Sequence, residues 1–409
     1  MISSLVMYVL LFCSLYFEIF LLTTYIEKRK TIKTEYLEMK EKKWPTTTII
    51  VPCWNEGNTV IATVNSILNL DYPKDKLSIS IIDDGSTDNT LSVLEVFRNN
   101  PQVKIHHKEN GGKFTALNFG IENSDSELVG CLDADSFVQK DALKNMIPYF
   151  ENKKIMAVVP AIRVHDAKNS LQKIQKIEYD LGCFLRKMLT YLNALHVTPG
   201  PFTIFRRKVF EQIGNYKHAH LTEDLEMALR MQKHNLKIAN SHRSFVFTIT
   251  PNTIKTLYKQ RSRWAYGFLK NFTDYKSLLF KREYGNISFF ILPFALVSIF
   301  STLYFAINFA ISNIDNILRG VEKAQLVGIS TNSLHFDWFY INTGLIPILS
   351  LFILLITIIM IWVSTKLSNE KIKMRPELVY FMFLYPIVAP FWIGNAVFNA
   401  FISKTITWR

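Results

Sequence analysis

Hydrophobic positions along the chain follow two patterns. At Met1–Tyr25, Ile287–Ile311, Ile341–Val363 and Leu378–Phe401 apolar residues run almost unbroken, close to the roughly 20 residues a helix needs to cross the hydrocarbon core of a bilayer. Four membrane segments are expected, the last carrying Pro386 and Pro390, which predict a kink or a broken, interfacial segment. Between Trp44 and Ile287 the pattern changes to short β-branched runs: Thr46–Pro52, Ser78–Asp83, Val103–His107 and Glu127–Asp133 begin 24 to 32 residues apart, with helical stretches filling the longer intervals. That spacing predicts βαβα units, hence a parallel sheet with helices on both faces. A last amphipathic run, Thr253–Phe272, sets Ile254, Leu257, Trp264, Phe268 and Phe272 among Lys255, Lys259, Arg261, Arg263 and Lys270, the pattern of a basic helix lying in a membrane interface or of an ordinary surface helix.

The expected organisation is a membrane anchor over residues 1–25, a basic linker over 26–44, an α/β domain over 45–252, an interfacial helix region over 253–286 and a membrane region of three segments over 287–409. No basic region precedes the first apolar run and no small-residue cleavage pattern follows it, so it reads as a retained anchor. Basic residues set the orientation. Lys28, Arg29, Lys30, Lys33, Lys40, Lys42 and Lys43 follow the first span, and Lys366, Lys371 and Lys373 fill the loop after the third. Both stretches should face the cytoplasm, together with everything from about Glu27 to Asn286. Residues 312–340 hold only Arg319 and Lys323 against Asp315, Glu322 and Asp337, so that loop should be external. Strict alternation would put the tail outside, Lys404 and Arg409 argue for the inside, and its side stays open. Glu18 is the one acid within the first span, which marks it for a bundle interior or a water-filled path.

Composition narrows the classes. With 47 Lys+Arg against 34 Asp+Glu, the formal charge is +13; 49% of residues are hydrophobic and mean hydropathy is +0.12. That excludes disorder and a disulfide scaffold. The basic residues cluster beside the spans, where anionic lipid is the simpler partner than nucleic acid, and no nucleic-acid partner is expected. Cys13, Cys53, Cys131 and Cys183 form no C-x-x-C pair and read as small buried hydrophobes.

In an open α/β sheet, ligands bind beyond the carboxyl ends of the strands. There the sequence places Cys53-Trp54-Asn55-Glu56-Gly57, Asp84-Gly85-Ser86-Thr87-Asp88, Asn110-Gly111-Gly112-Lys113 and Asp133-Ala134-Asp135. Each alone is ordinary turn and cap chemistry. Together, clustered carboxylates in a basic protein suit Mg²⁺ or Mn²⁺ carried on a diphosphate, and Lys113, opening a helix after two glycines, supplies charge and backbone donors for phosphate. No P-loop motif is present. Thr222-Glu223-Asp224 precedes the amphipathic run Leu225–His234; a helix cap at Thr222 with two acids in the first turn is the plain alternative to a catalytic role.

The ordered set resembles the membrane-embedded family 2 glycosyltransferases of the GT-A fold, the group of cellulose, chitin, hyaluronan and poly-N-acetylglucosamine synthases. The resemblance covers about Thr46 to Trp264. It rests on Asn55-Glu56, Asp83-Asp84-Gly85-Ser86, Gly112-Lys113 followed by Ala116-Leu117-Asn118, Asp133-Ala134-Asp135, Thr222-Glu223-Asp224 and Gln260-Arg261-Ser262-Arg263-Trp264 read as Q-x-x-R-W. Size, one leading span and three trailing segments make the chain most similar to the poly-N-acetylglucosamine synthases. One departure is Thr198-Pro199-Gly200-Pro201, where the family carries a small residue and glycine without flanking prolines.

The resemblance implies a GT-A (Rossmann-like) domain that extends a β-linked glycan from a UDP-sugar, UDP-N-acetylglucosamine foremost, and passes it through its own spans. It implies Asp224 as general base with Glu223 beside it, Asp135 as the metal residue and Asp133 near the sugar or ribose. The donor would meet Pro52, Asn55, Glu56, Asp84, Lys113, Gln260, Arg263 and Trp264, with Trp264 also offering a flat face to the acceptor sugar. A growing glycan, membrane lipid and a small membrane accessory subunit are the implied partners, at the cell membrane with the catalytic domain cytoplasmic. Two other readings compete: a single-transfer enzyme glycosylating a polyprenyl phosphate or ceramide, and a non-catalytic transporter or binding module on the same fold.

Overall fold

Strands form where β-branched runs can be buried on both faces, and helices return the chain between them. The computed structural model describes residues 2–35, 44–327, 344–367 and 376–402. Lys40, Lys42, Lys43, Asp337, Lys371, Lys373, Lys404 and Arg409, on which the orientation reading leans, lie outside the described residues. In chain order the elements are α1 (Ile2–Thr34), β1 (Thr47–Cys53), α2 (Val60–Leu68), β2 (Leu77–Asp84), α3 (Thr90–Leu94), β3 (Val103–Lys108), α4 (Lys113–Glu122), β4 (Leu128–Cys131), β5 (Ser136–Val138) and β6 (Ile155–Val164). There follow α5 (Ser170–Tyr191), β7 (Ile204–Arg206), α6 (Arg207–Ile213), α7 (Glu223–Lys233), β8 (Lys237–Thr248), α8 (Ile254–Asp274), α9 (Leu292–Val327), α10 (Leu345–Leu367) and α11 (Pro376–Phe401).

The sheet has eight strands in the order β3-β2-β1-β4-β7-β6-β8-β5. The four expected strands form its parallel half, with Ile49 opposite Ile79 and Gly130. The other half differs from a purely parallel sheet: β7 runs antiparallel to β4 and β6, β5 antiparallel to β8, and β6 parallel to β8. β5 and β7, of three residues each, are too short to carry a readable alternation. The pleat sorts β1 by parity. Ile49 and Val51 join Val60, Val64, Ile67 and Leu94 on one face, and Ile50 joins Ala116, Leu117 and Ile121 on the other. At Gly120 a Cβ would stand 2.6 Å from Ile50 Cγ2, so the missing side chain is what lets α4 lie close on β1.

Among the described residues, four helices are long and apolar enough to cross a membrane: Ser4–Thr34, Ile287–Leu326, Leu345–Leu367 and Glu377–Phe401. α1 continues through residues 26–34, which the sequence reading gave to a linker; Lys and Arg are good helix formers and no Gly or Pro interrupts them. α11 runs unbroken past Pro386 and Pro390. Glu18 meets α10 inside the bundle, accepting a hydrogen bond from Thr357 Oγ1 at 2.7 Å.

The end of α1 is fixed to the α/β domain by a buried ion pair. Lys187 of α5 is 1% exposed; its Nζ lies 2.5 Å from Glu35 Oε2 and donates to Asn240 O at 3.1 Å. Burial pulls the ammonium below the ordinary lysine range and Glu35 offsets part of that shift. Glu35→Ala leaves this charge buried without its partner and should cost about 3–5 kcal/mol, read as a lower unfolding temperature of the detergent-solubilised protein. Replacing the pair together, Glu35→Leu with Lys187→Met, should recover most of the loss. Equal unfolding temperatures for parent and Glu35→Ala would show that the pair does not hold the anchor.

Candidate active site

The carboxyl ends of β1, β2 and β4 and the N-termini of α4 and α7 converge on one cluster of charged side chains. Lys113 is its centre: Nζ lies 2.6 Å from Asp133 Oδ1 and 3.1 Å from Glu223 Oε1. Its position is set locally. Gly112 adopts φ 89°, a conformation that L side chains rarely take, and Asp84 accepts from Gly111 N at 3.1 Å and Gly112 N at 2.8 Å. Lys108 Nζ, 2.6 Å from Asp84 Oδ1, neutralises that carboxylate. Burial opposes charge on Lys113, but Asp133 and Glu223, with Asp224 behind them, outweigh it and hold the ammonium well above its ordinary range.

The acids respond differently to this one cation. Burial would raise Glu223, yet Lys113, its own backbone N–H and Arg263 hold it below the usual carboxylate range. Asp224, half-buried beside Glu223, is pushed up to about 6 by desolvation and by Glu223, against the pull of Lys113 and of a Leu225 N–H bond to Oδ1 at 2.9 Å. Arg263 of α8 faces the same group: burial lowers it, and Glu223, Asp224 and Asp133 counter that. The α7 backbone is pinned from the loop before β7, where Thr198 Oγ1 donates to Asp224 O at 2.7 Å. Gly200, in the proline-flanked departure, abuts the ion pair, and a Cβ there would stand 2.7 Å from Lys113 Nζ and 2.9 Å from Asp133 Oδ2. The flanking prolines therefore leave the close approach of the glycine intact.

Asp135 stands on the other side of the D-x-D turn. Burial first, then Asp133 and Glu56, push its carboxyl up to about 7. This is negative charge crowded into a desolvated corner, while Lys113 spends its ion pairs on Asp133 and Glu223. The donor set fits a hard divalent cation: no cluster of three or more metal-ligating His, Cys, Asp or Glu exists among the described residues, but Mg²⁺ is commonly held by one or two carboxylates plus substrate phosphates.

The remaining sequence-predicted residues fall into two groups. Asn55, at φ 58°, joins two strand ends: its N donates to Ser86 Oγ at 2.9 Å and its Oδ1 accepts from Thr87 N at 2.8 Å. Glu56 lies near Asp135 and accepts from Thr59 Oγ1 at 2.9 Å, and Pro52 pairs with Ile82 near the top of β1. A nucleoside contact by Asp84 would share its oxygens with the loop donors above. On α8, Trp264 is 39% exposed, while Gln260 accepts from Arg261 at 2.8 Å. Thr222 immediately precedes α7 but makes no side-chain cap.

What holds Thr222 escaped the sequence reading. At Gly267 of α8 a Cβ would stand 2.3 Å from Thr222 Oγ1, and Asn271 Nδ2 donates to that oxygen at 2.9 Å and to Ala219 O at 3.1 Å. Ala219, His220 and Leu221 all take positive φ, a costly path for side-chain-bearing residues that these α8 contacts support. Asn118 exchanges two hydrogen bonds with the Tyr216 backbone, each 2.9 Å, and so steadies the approach to the same loop. The glycine and asparagine lie one turn apart on α8, a spacing with no signal of its own.

Residues 48–214 match the model of Glycosyl transferase family 2. The poly-beta-1,6-N-acetyl-D-glucosamine synthase of Staphylococcus epidermidis is 36% identical over 222 residues, 53% of each chain. That of Staphylococcus aureus (strain MSSA476) is 34% identical over 224 residues, 54% of each. The chain thus spans about half the length of the curated relatives it matches. Among solved structures, the mannosyltransferase PcManGT from Pyrobaculum calidifontis, determined in complex with GDP-Man and Mn²⁺, shares the fold at a TM-score of 0.59 and 17% identity, covering 97% of this chain and 99% of that one. With the strand-end acids, the paired lysine and the mixed sheet now accounted for, residues 48–214 form a domain similar to family 2 glycosyl transferases, in a chain that shares the fold of PcManGT and whose described residues include four helices long and apolar enough to span a membrane.

Proposed function

We propose that the protein is an inverting, processive synthase that extends a β-linked N-acetylglucosamine polymer from UDP-N-acetylglucosamine on the cytoplasmic side and passes it out through its own spans. The observation that carries this reading is the convergence of Asp224, Glu223, Lys113, Asp133 and Arg263 on one pocket next to α8. The choice of sugar and of a polymer product leans on the names of the Staphylococcus relatives.

Inversion needs one base on the acceptor hydroxyl and stabilised charge on the departing diphosphate across the sugar. Asp224 serves as the base. Its Oδ1 accepts from its own helix, leaving Oδ2 for the acceptor proton as the hydroxyl oxygen attacks the anomeric carbon and the UDP oxygen leaves with the bond pair. No carboxylate nucleophile enters, as in inverting glycoside chemistry. Glu223 keeps Lys113 in place, and Lys113 and Arg263 offer positive charge to the donor. Asp135, with Asp133, would hold Mg²⁺ or Mn²⁺, which when bound neutralises diphosphate charge. Asn55, Glu56, Pro52 and Asp84 shape the nucleoside end of the pocket, and Trp264 receives the acceptor sugar.

Asp224→Asn should leave donor binding near normal and lower turnover by about 10²–10⁴-fold; near-normal turnover would reduce Thr222-Glu223-Asp224 to a helix start. Because the Asp224 carboxyl is raised to about 6, it is protonated below that pH and ionised above it, so kcat/KM should fall as pH drops through about 6. A flat acid limb in the parent would refute the assignment.

EDTA should abolish turnover, Mg²⁺ or Mn²⁺ should restore it, and Asp135→Ala should not be rescued by either. Full activity in excess EDTA would remove the metal from the reaction. For the product, proteoliposomes given labelled UDP-N-acetylglucosamine should yield water-soluble chains cut by a β-hexosaminidase. Label confined to a single-sugar, solvent-extractable lipid would instead make this a lipid glycosyltransferase.

A further inference from the structure

The geometry points to Glu178 and Tyr385 as positioning residues that act through Arg261 to orient the acceptor platform at Trp264, coupling the last membrane helix to chain elongation. This rests on the acceptor role proposed for Trp264.

Arg261 is only 5% exposed, although it lies on the basic helix α8. Its guanidinium is held from three elements: NH2 donates to Glu178 Oε2 of α5 at 2.7 Å, Nε donates to Tyr385 OH of α11 at 3.3 Å, and NH1 donates to Gln260 Oε1 of its own helix at 2.8 Å. Tyr385 OH in turn donates to the same Glu178 oxygen at 2.5 Å. So fixed, the guanidinium carbon sits 4.2 Å from the centre of the Trp264 ring, within range of a cation–π contact. One face of the indole is thus taken by a locked cation, while the side chain remains 39% exposed.

Simple fastening of α11 to α5 does not need this arrangement, because Lys173 and Glu377 already bridge those helices at 3.4 Å. The buried group instead ends on the one aromatic of the Q-x-x-R-W segment. Orientation also has a route for change: Pro386, next to Tyr385, removes a backbone donor from α11, and helices bend at such points. A bend there moves the tyrosine hydroxyl and, with it, the plane on which Trp264 rests.

The test uses the full chain in proteoliposomes with Tyr385→Phe, Glu178→Gln and the double variant. KM for an added β-linked N-acetylglucosamine oligosaccharide, KM for UDP-N-acetylglucosamine, kcat and product length are measured. Each single variant should raise the acceptor KM by about two- to fivefold, the scale of one hydrogen bond or cation–π contact, and shorten the product. Donor KM and kcat should stay near the parent values, and the double variant should resemble the worse single one, since both act through Arg261. Unchanged acceptor KM and product length would overturn the proposal. So would a uniform loss of donor and acceptor parameters with a lower unfolding temperature, which marks a purely structural latch. If the parent labels only a single-sugar lipid, the polymer reading fails separately, and the variants' KM for that lipid decides the relay.

Discussion

One cation shared by two carboxylate-bearing elements is the constraint around which the α/β domain is organised. The parallel strands deliver Asp133, half-buried, and the start of α7 delivers Glu223, buried; two like charges in such a place repel unless a cation lies between them. Lys113 fills that position at 2.6 and 3.1 Å. Much of the surrounding structure serves to put it there: the positive φ of Gly112, the Asp84 clamp on the loop, and the absence of a side chain at Gly200. The same cation separates the two acids of α7. Glu223, in contact with it, is held low, whereas Asp224 is raised by burial and by Glu223. Neighbouring carboxylates with opposed shifts are how a site keeps one group as a fixed anion and poises the next for proton transfer.

The second organising element is α8. It closes the pocket with Arg263, carries Trp264 at its edge, and supports the strained backbone at 219–221 through Asn271. Its close approach depends on Gly267 facing Thr222. Through Arg261 it also reaches α5 and α11. A helix that meets the loop before α7, carries a half-exposed tryptophan and reaches α11 links the acid cluster to the apolar helices with few moving parts.

Sequence alone determined a great deal here. Uninterrupted apolar runs located the four span candidates, because hydrocarbon demands length and apolarity and little else. β-branched runs at regular spacing located β1 to β4, and the polar residues after them marked the pocket, since in a parallel sheet the carboxyl ends lie together. Asp133, Asp135 and Lys113 were singled out at the strand ends, and Glu223, Asp224 and Arg263 by the family resemblance. What the tertiary structure alone decided was pairing. That Lys113 takes Asp133 and Glu223 while Asp84 takes Lys108 and two loop amides depends on distances between segments far apart in the chain. The antiparallel half of the sheet, the passage of α11 through two prolines, and the supporting roles of Gly267, Asn271, Glu178 and Tyr385 were likewise invisible. A glycine needed for a close approach, or a glutamate needed for a buried arginine, has no meaning until its neighbour is in place. Local pattern reports what one segment must do with water and lipid; electrostatic and steric complementarity are properties of two segments at once.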